Sequence, residues 1–171
     1  FPELENFANT IFEKVKTQNR VQYSSLCDFL NSEYNLIVKD VAPKEKLFTK
    51  IYYPEKKEMY LSEFTSLETR KLFAANQVAQ MGAPDIIKDY LDDFSFPTEV
   101  SRKVANVALL NYTGAAIIMN YKKFFQECLH FRYDLELLQN SFAVSFEQVV
   151  HRATSLNDPN MKGIPLHLIR V

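Results

Sequence analysis

The sequence predicts an α+β fold, a mostly helical single domain that carries a small β-sheet. Apolar residues recur with helical spacing over most of the chain, and β-branched and aromatic residues concentrate between residues 35 and 61. The chain has 171 residues, of which 47% are hydrophobic, enough for one packed core and too few for two domains of ordinary size. We therefore expect residues 1–171 to fold as one domain.

Two helices open the predicted fold, and strands follow them. Apolar positions spaced three and four apart indicate helices near residues 4–15 and 24–33. Strand-like runs cover residues 35–39, 47–53 and 58–61, and the turn residues between the last two runs indicate a hairpin. These runs together predict the small sheet.

Helices account for most of the remaining chain. Thr65 and Glu68 form a capping-box pattern, which predicts a helix that begins there and ends near Gly82. Asp134 and Ser145 have the pattern of N-caps. The other predicted elements are helices near 84–93, 99–119, 121–129, 135–140 and 146–156, and a last strand at 164–171 that joins the sheet. Because the strand pattern continues to the final residue, we expect the chain to be a fragment of a longer protein.

Composition and charge exclude several classes of protein. The net charge is −1, so the chain lacks the cationic excess with which a DNA-binding domain attracts a polyanion. Cys27 and Cys128 do not have the spacing of a zinc or redox motif, which favours a reducing, cytoplasmic compartment. No run approaches the roughly 18 apolar residues of a membrane span, and the first residues lack the pattern of a signal peptide. We expect a soluble protein that binds any phosphate group locally.

The predicted helix over residues 65–82 has the geometry of a metal site without its ligands. Asn76 and Gln80 are one turn apart, where a zinc helix of the HExxH type places its two histidines, and Phe73 shares their stripe. Carboxamides are poor zinc ligands and cannot act as a general base. We therefore predict no metal and no catalytic residue. Either this stripe is an ordinary solvated helix face or it lines a cleft, and Phe73 favours the cleft.

Three blocks of the sequence resemble the short-chain fatty-acyl-CoA regulators, whose central domain is similar to ImmA/IrrE-type metallopeptidases. The resemblance is weakest over the first 45 residues. The blocks are Tyr60–Glu63 with Arg70, Lys71 and the Asn76 helix; Asn111–Tyr121; and Phe131–Leu138 with Val144–Arg152 and Gly163–Val171. The chain departs from the family pattern at Asn120, where the family has proline, and at Thr113 and Gly114, where it has an aromatic residue and alanine.

The resemblance implies a zincin-like fold and a sensory function. Active peptidase relatives carry a glutamate ligand before the position of Asn111, whereas residues 107–110 hold no acid, so all three ligand positions lack a metal ligand. Family members place this ligand domain between a DNA-binding helix-turn-helix domain and a cysteine-bearing domain, which holds an iron–sulfur cluster in some members. We expect this chain to be the ligand-sensing domain alone. The expected partners are a coenzyme A thioester, DNA through the N-terminal domain, and further copies of the chain in a homo-oligomer.

A coenzyme A site needs cations for the phosphates, and an apolar pocket with donors for the acyl end. Arg70 and Arg152 are the cations that fall inside the matched blocks, although a single cation is more often a solubilising surface charge. Tyr112 and Tyr121 are either core aromatics or ligand contacts, because a buried hydroxyl requires a hydrogen-bond partner. The predicted ligand-binding residues are Arg70, Phe73, Asn76, Gln80, Tyr112, Tyr121 and Arg152.

Three other interpretations are compatible with the sequence. One is a pseudo-peptidase that binds a protein partner, and another is a metallopeptidase with unrecognised ligands, which the absence of zinc-ligand spacing disfavours. The third is a module that contacts DNA through the helix pair at residues 135–156. Its second helix carries Glu147, His151 and Arg152, too little positive charge for a recognition helix.

Overall fold

The computed structural model describes residues 1–42 and 47–169, and this part of the chain folds into eight helices and two small sheets. The helices are α1 (Pro2–Val15), α2 (Tyr23–Tyr34), α3 (Leu67–Gly82), α4 (Pro84–Asp92), α5 (Glu99–Ile118), α6 (Tyr121–His130), α7 (Leu135–Phe142) and α8 (Phe146–Thr154). The strands are β1 (Lys16–Thr17), β2 (Arg20–Val21), β3 (Ile37–Val41), β4 (Lys50–Tyr53) and β5 (Glu58–Ser62). The predicted mostly helical α+β class is confirmed. None of the helices in these two ranges is long and apolar enough to cross a membrane.

The larger sheet has three strands in the order β3-β5-β4. β5 pairs in parallel with β3 and antiparallel with β4, and a 3₁₀ turn at Pro54–Lys56 closes the predicted hairpin. Met59 and Leu61 point from β5 into the core and are fully buried. The sheet therefore packs one face on the helices, as the alternation of apolar residues requires.

Local signals place most helix ends correctly, with one exception. Ser145 and Gln148 form the predicted capping box, and Asp134 caps α7. The N-cap of α3 is Ser66, whose hydroxyl accepts from the Thr69 amide, so the predicted cap at Thr65 is wrong by one residue. Thr65 instead donates its backbone amide to the Ser62 carbonyl in the turn that follows β5.

The predicted last strand is also wrong over the residues that the structure describes. Residues 164–169 form no strand, and Arg170 and Val171 lie outside the described residues. The Ile164 amide donates to the Tyr133 hydroxyl, and Leu166 packs against the core. Ile164, Leu168 and Ile169 are exposed, so Leu166 is the apolar side chain that anchors this segment, and the alternating pattern does not correspond to pairing with the sheet.

The smaller sheet, β1 with β2, was not predicted. Its strands have two residues each, which is too short for a periodic pattern, and they flank a turn in which Gln18 and Asn19 have φ of 49° and 62°. Positive φ at both central residues is the backbone of a tight hairpin turn, and asparagine tolerates it well. The hairpin brings β2 against the first turn of α3.

A buried lysine holds this corner together. Lys71 is 4% exposed and its Nζ donates to the carbonyls of Val21 in β2 and Phe142 at the end of α7, at 3.3 and 2.8 Å. Because the Lys71 ammonium is buried and bonded to these two carbonyls, it does not contact a ligand phosphate. Burial lowers the pKa of Lys71 to about 8, because the ammonium has exchanged water for two neutral carbonyls.

The lowered pKa of Lys71 predicts a rise in stability with pH. The folded chain releases this proton near pH 8 and the unfolded chain near pH 10.5, so the unfolded state binds more protons in between and folding becomes more favourable as the pH rises. Between pH 7 and pH 9 the unfolding free energy of the native chain should gain about 1 kcal/mol relative to Lys71→Met. Urea titrations of both proteins at several pH values measure this difference. Parallel pH profiles for the two proteins would contradict the prediction.

Candidate functional site

A cleft with a volume of about 750 Å³ lies between α3, α5 and α8. Its lining residues come from the start of α3, the middle of α5, the length of α8, the residues just after α8, and Phe1 before α1. They are Thr69 and Leu72; Ala108, Asn111, Tyr112 and Ala115; Ser145, Glu147, Gln148, His151, Arg152, Thr154 and Ser155; and Phe1 and Asn157. Most of these side chains are neutral, and many can form hydrogen bonds. We call this the main cleft.

The floor of the main cleft is the contact between α3 and α5. The side-chain amides of Asn76 and Asn111 are hydrogen bonded at 2.6 Å. The orientation that satisfies every partner turns both amides over, so that the Asn76 nitrogen donates to the carbonyls of Leu72 and Leu110, at 3.2 and 3.1 Å, and the Asn111 nitrogen donates to the Asn76 oxygen. Asn76 reaches this position because Gly114 has no side chain in the way. Asn76 therefore holds Asn111 in place rather than lining the cleft itself.

Asn111 is the exposed member of this pair. Its side chain lines the main cleft, and its only hydrogen bond among the described residues is the one to Asn76. An amide has two donor hydrogens and an acceptor oxygen, so one bond leaves further capacity. Asn111 can thus present a fixed donor to a ligand carbonyl.

One wall of the main cleft contains a buried ion pair. Arg152 is 1% exposed, and its guanidinium donates to both carboxylate oxygens of Glu5 in α1, at 2.6 and 2.9 Å. The same group donates through Nε to the Met119 carbonyl at 2.9 Å and through NH1 to the Ser155 hydroxyl at 3.3 Å. The pair cross-links the first and last helices of the fold.

Two tyrosines flank this ion pair. The Arg152 guanidinium lies 5.8 Å from the Tyr112 ring centre and 5.4 Å from that of Tyr121, and the Tyr112 hydroxyl donates to Glu5 at 2.5 Å. Burial raises the pKa of Tyr112, and the adjacent Glu5 charge and hydrogen bond raise it further, so the phenol stays neutral. Because Glu5 neutralises the charge of Arg152, this ion pair adds no net charge to the main cleft.

A second cleft, of about 450 Å³, lies on the other side of the ion pair. Its lining includes Glu5, Tyr121 and Lys122, and four asparagines: Asn6, Asn9, Asn120 and Asn157. The Tyr121 hydroxyl is held between the Asp158 amide and the Met161 carbonyl, at 2.8 and 3.2 Å. We call this the asparagine cleft.

The structure separates the seven predicted ligand-binding residues. Tyr112 and Arg152 line the main cleft, Asn76 lies beneath it, and Tyr121 lines the asparagine cleft. The guanidinium of Arg70 instead pairs with Asp40 at 2.8 Å, on the side of α3 that faces α2 and the sheet.

Helical spacing predicts that Phe73, Asn76 and Gln80 line one cleft together, but the structure places the three side chains in different surroundings. Phe73 is partly buried beneath the ammonium of Lys50, which lies 6.0 Å from the ring centre, and Gln80 is exposed. Only Asn76 lies next to the main cleft.

A zinc ion of the kind that HExxH helices hold does not fit these residues. Asn76 is committed to Asn111, Gln80 points to solvent, and Leu109 lies buried before the Asn111 block. Gln77, which follows Asn76 as the glutamate follows histidine in HExxH, is fully buried and its amide has no partner among the described residues. In the ranges that the structure describes, no three histidine, cysteine or acidic side chains are grouped so that they could hold a metal ion.

Sequence reasoning missed the partner of Arg152 and, apart from Tyr112 and Arg152, the residues that line the main cleft. Glu5 gives no signal, because it resembles any acidic residue in the first turn of a helix. Asn111 lies in a matched block, but there it only marks the position before which active peptidase relatives carry a glutamate ligand. The amphipathic pattern of α5 offers a usable signal, since Ala108 and Ala115 are small residues spaced two turns apart on one face.

Residues 36–154 match the family model of the IrrE N-terminal-like domain. A propionyl-CoA carboxylase regulator of Cereibacter sphaeroides is 35% identical over 111 residues, which are 65% of this chain and 24% of that protein. The HTH-type transcriptional regulators RamB and PrpR of Mycobacterium tuberculosis are 32% and 33% identical over 120 residues, 70% of this chain and about a quarter of each protein. The chain thus spans about a quarter of the length of the curated relatives it matches.

The fold also matches a solved structure. A transcriptional regulator of Mycobacterium tuberculosis superposes with a TM-score of 0.90 over 96% of this chain and 50% of that one, at 24% identity. An identity of this size supports the shared fold. Both comparisons agree with the zincin-like arrangement of helices and sheet described above.

Proposed function

Because the chain belongs to the IrrE N-terminal-like domain family and its matched relatives are named as transcriptional regulators, we propose that it is the effector-binding domain of such a regulator. Its effector is a short-chain acyl-CoA, bound in the main cleft, and binding controls DNA contact by a separate domain. This proposal rests on the main cleft, which is lined mainly by neutral side chains that can form hydrogen bonds and lies next to Asn76, on the helix that lacks metal ligands.

The main cleft has the size and lining that this ligand requires. A volume of about 750 Å³ is within the range of small-molecule sites. Leu72, Ala108 and Ala115 provide a narrow apolar surface for two to four carbon atoms. Asn111 provides a donor for the thioester carbonyl. A sensor must also bind the thioester without hydrolysing it, and α3 supplies no metal ligands that would hold an activated water.

The name of one relative supports the choice of thioester. A regulator of propionyl-CoA carboxylase benefits from responding to propionyl-CoA, the compound that names the enzyme. Nothing in the site requires catalysis, since the carboxamides of Asn76 and Asn111 are neutral at all ordinary pH values. We therefore propose a binding role and no peptidase activity.

The proposal predicts selective stabilisation by short acyl-CoA thioesters. In thermal-shift measurements, propionyl-CoA at 100 times its dissociation constant should add about 2.7 kcal/mol to the unfolding free energy. Asn111→Ala should reduce that ligand-dependent shift, because a lost neutral hydrogen bond weakens binding by about 0.5 to 1.5 kcal/mol. Gln80→Ala is the matched control, since it removes an exposed carboxamide of α3 outside the cleft.

Acetyl-CoA, butyryl-CoA and free coenzyme A complete the panel. A shift that is equal for thioesters and free coenzyme A would mean that the acyl group is not recognised. Equal effects of Asn111→Ala and Gln80→Ala would move the site elsewhere. No shift with any of these compounds would contradict the proposal as a whole.

The alternative of DNA contact through α7 and α8 is less well supported. In α8 the residues Val149, Val150, Arg152 and Ala153 are buried, and Arg152 is neutralised by Glu5. The exposed side of α8 then offers His151 and Glu147, which lie 3.8 Å apart. This surface lacks the cations that phosphate contact requires.

A further inference from the structure

We infer that the main cleft and the asparagine cleft form one continuous ligand site, in which the asparagine cleft holds the neutral, amide-bearing pantetheine arm of the ligand. The inference rests on the proposed function and extends it, because it divides the ligand between two chemically different compartments. The acyl group lies in the main cleft, and the arm crosses the wall between the two.

Shared walls connect the two clefts. Tyr112, Ser155 and Asn157 line both, and the Glu5–Arg152 ion pair lies between them, with Arg152 on the main cleft and Glu5 on the asparagine cleft. The pair is rigid, since the guanidinium has four hydrogen bonds. A ligand too long for the main cleft can therefore extend past this rigid ion pair into the asparagine cleft.

The chemistry of the asparagine cleft suits amides better than phosphates. The side chains of Asn6, Asn9 and Asn157 are exposed, and each has both donors and an acceptor. The side-chain amides of Asn6 and Asn157 make no hydrogen bond to other described residues. Pantetheine carries two amide groups that need both kinds of partner. Lys122 is balanced by Asp158 at the same cleft, so the compartment has no excess of positive charge for a polyphosphate.

One asparagine is fixed and orients a second one. Asn120 is 7% exposed, donates to Asn9 at 2.9 Å, and accepts from the Lys123 amide as the N-cap of α6. Asn9 is thereby held with its nitrogen free for a ligand oxygen. The cleft thus contains one preorganised amide and two adaptable ones.

The test compares Asn6→Ala/Asn157→Ala with a control pair, Asn31→Ala/Asn140→Ala, which removes two exposed asparagines far from both clefts. Calorimetry with propionyl-CoA, S-propionyl-pantetheine and adenosine 3′,5′-bisphosphate measures binding to each protein. The cleft variant should weaken both propionyl compounds by roughly ten-fold, the effect of two neutral hydrogen bonds, and leave the bisphosphate unchanged. The control pair should bind all three as the native chain does.

The outcomes separate this inference from the proposed function. If propionyl-CoA binds the native chain but the cleft variant binds it equally well, the arm lies elsewhere and only the inference is overturned. A loss confined to adenosine 3′,5′-bisphosphate would assign the cleft to the nucleotide and also overturn it. If the native chain binds neither propionyl compound, both the inference and the proposed function are wrong.

Discussion

Replacement of Arg152 by alanine should lower the unfolding free energy by about 3 to 5 kcal/mol, a large fraction of the stability of a domain of this size. The substitution leaves the Glu5 carboxylate partly buried without its counter-charge, and it also removes the donor to the Met119 carbonyl. Urea denaturation followed by circular dichroism measures the loss. His151→Ala is the matched control, because His151 is the preceding residue of α8 and its side chain is 62% exposed.

A double-mutant cycle distinguishes a broken ion pair from a simple loss of packing. In Arg152→Ala/Glu5→Ala no buried charge is left unpaired, so the double variant should be less destabilised than the sum of the single variants. Additive losses would show that the two side chains act independently. A loss below 1 kcal/mol in Arg152→Ala, similar to that of His151→Ala, would contradict the role of the pair in cross-linking α1 and α8.

This role changes the interpretation of Arg152 as a phosphate ligand. From the sequence, an arginine in a matched block with an unknown partner indicates anion binding, and its replacement is expected to leave the fold intact. The structure shows that the Arg152 guanidinium forms an ion pair with Glu5, which lies in the region of weakest resemblance. Arg70 has the same explanation, because Asp40 in β3 pairs with it. Pairing across distant elements depends on the tertiary arrangement, which no local pattern reveals.

Elements with local determinants are predictable from the sequence, and those without them are not. Ser145 and Gln148 satisfy each other within one turn, so the start of α8 is encoded over four residues. Residues 164–169 have a strand-like pattern, but a strand needs a sheet edge as its partner, and this segment is held instead by the Tyr133 hydroxyl and by the packing of Leu166. The two-residue strands of the β1-β2 hairpin lie below the length at which periodicity carries information.

The candidate site was predictable only in its general location. Helical spacing places Asn76 near the cleft, and the loss of metal ligands is evident from residue types alone. The division of the stripe at Phe73, Asn76 and Gln80 depends on where α5 crosses α3. That crossing is set at Gly114, a position whose significance appears only when the opposing residue is known.

Gly114→Ala should destabilise the chain, although the same change at an ordinary helical position is stabilising. A β-carbon at residue 114 would lie 2.0 Å from one terminal atom of the Asn76 amide and 3.0 Å from the Asn76 backbone nitrogen. The first distance is not tolerated, and the second is tighter than most contacts of a β-carbon, so the backbone of α3 would have to shift by a few tenths of an ångström. We expect a loss of about 1 to 3 kcal/mol from overpacking, against a gain of about 0.5 to 1 kcal/mol for glycine to alanine in a helix without such contacts. The sign of the change in urea denaturation is therefore diagnostic.

Removal of the Asn76 side chain tests the cause of this loss. In the Asn76→Ala background, the added methyl group at residue 114 no longer meets the amide, and only the contact with the backbone nitrogen remains. Gly114→Ala should therefore cost less there than in the native chain, and the difference measures the coupling between the two positions. An equal cost in both backgrounds would place the strain in the backbone alone. A gain of stability in the native background would mean that α3 and α5 are not in close contact at Gly114. It would also contradict the conclusion that Asn76 holds Asn111 in place at the floor of the main cleft.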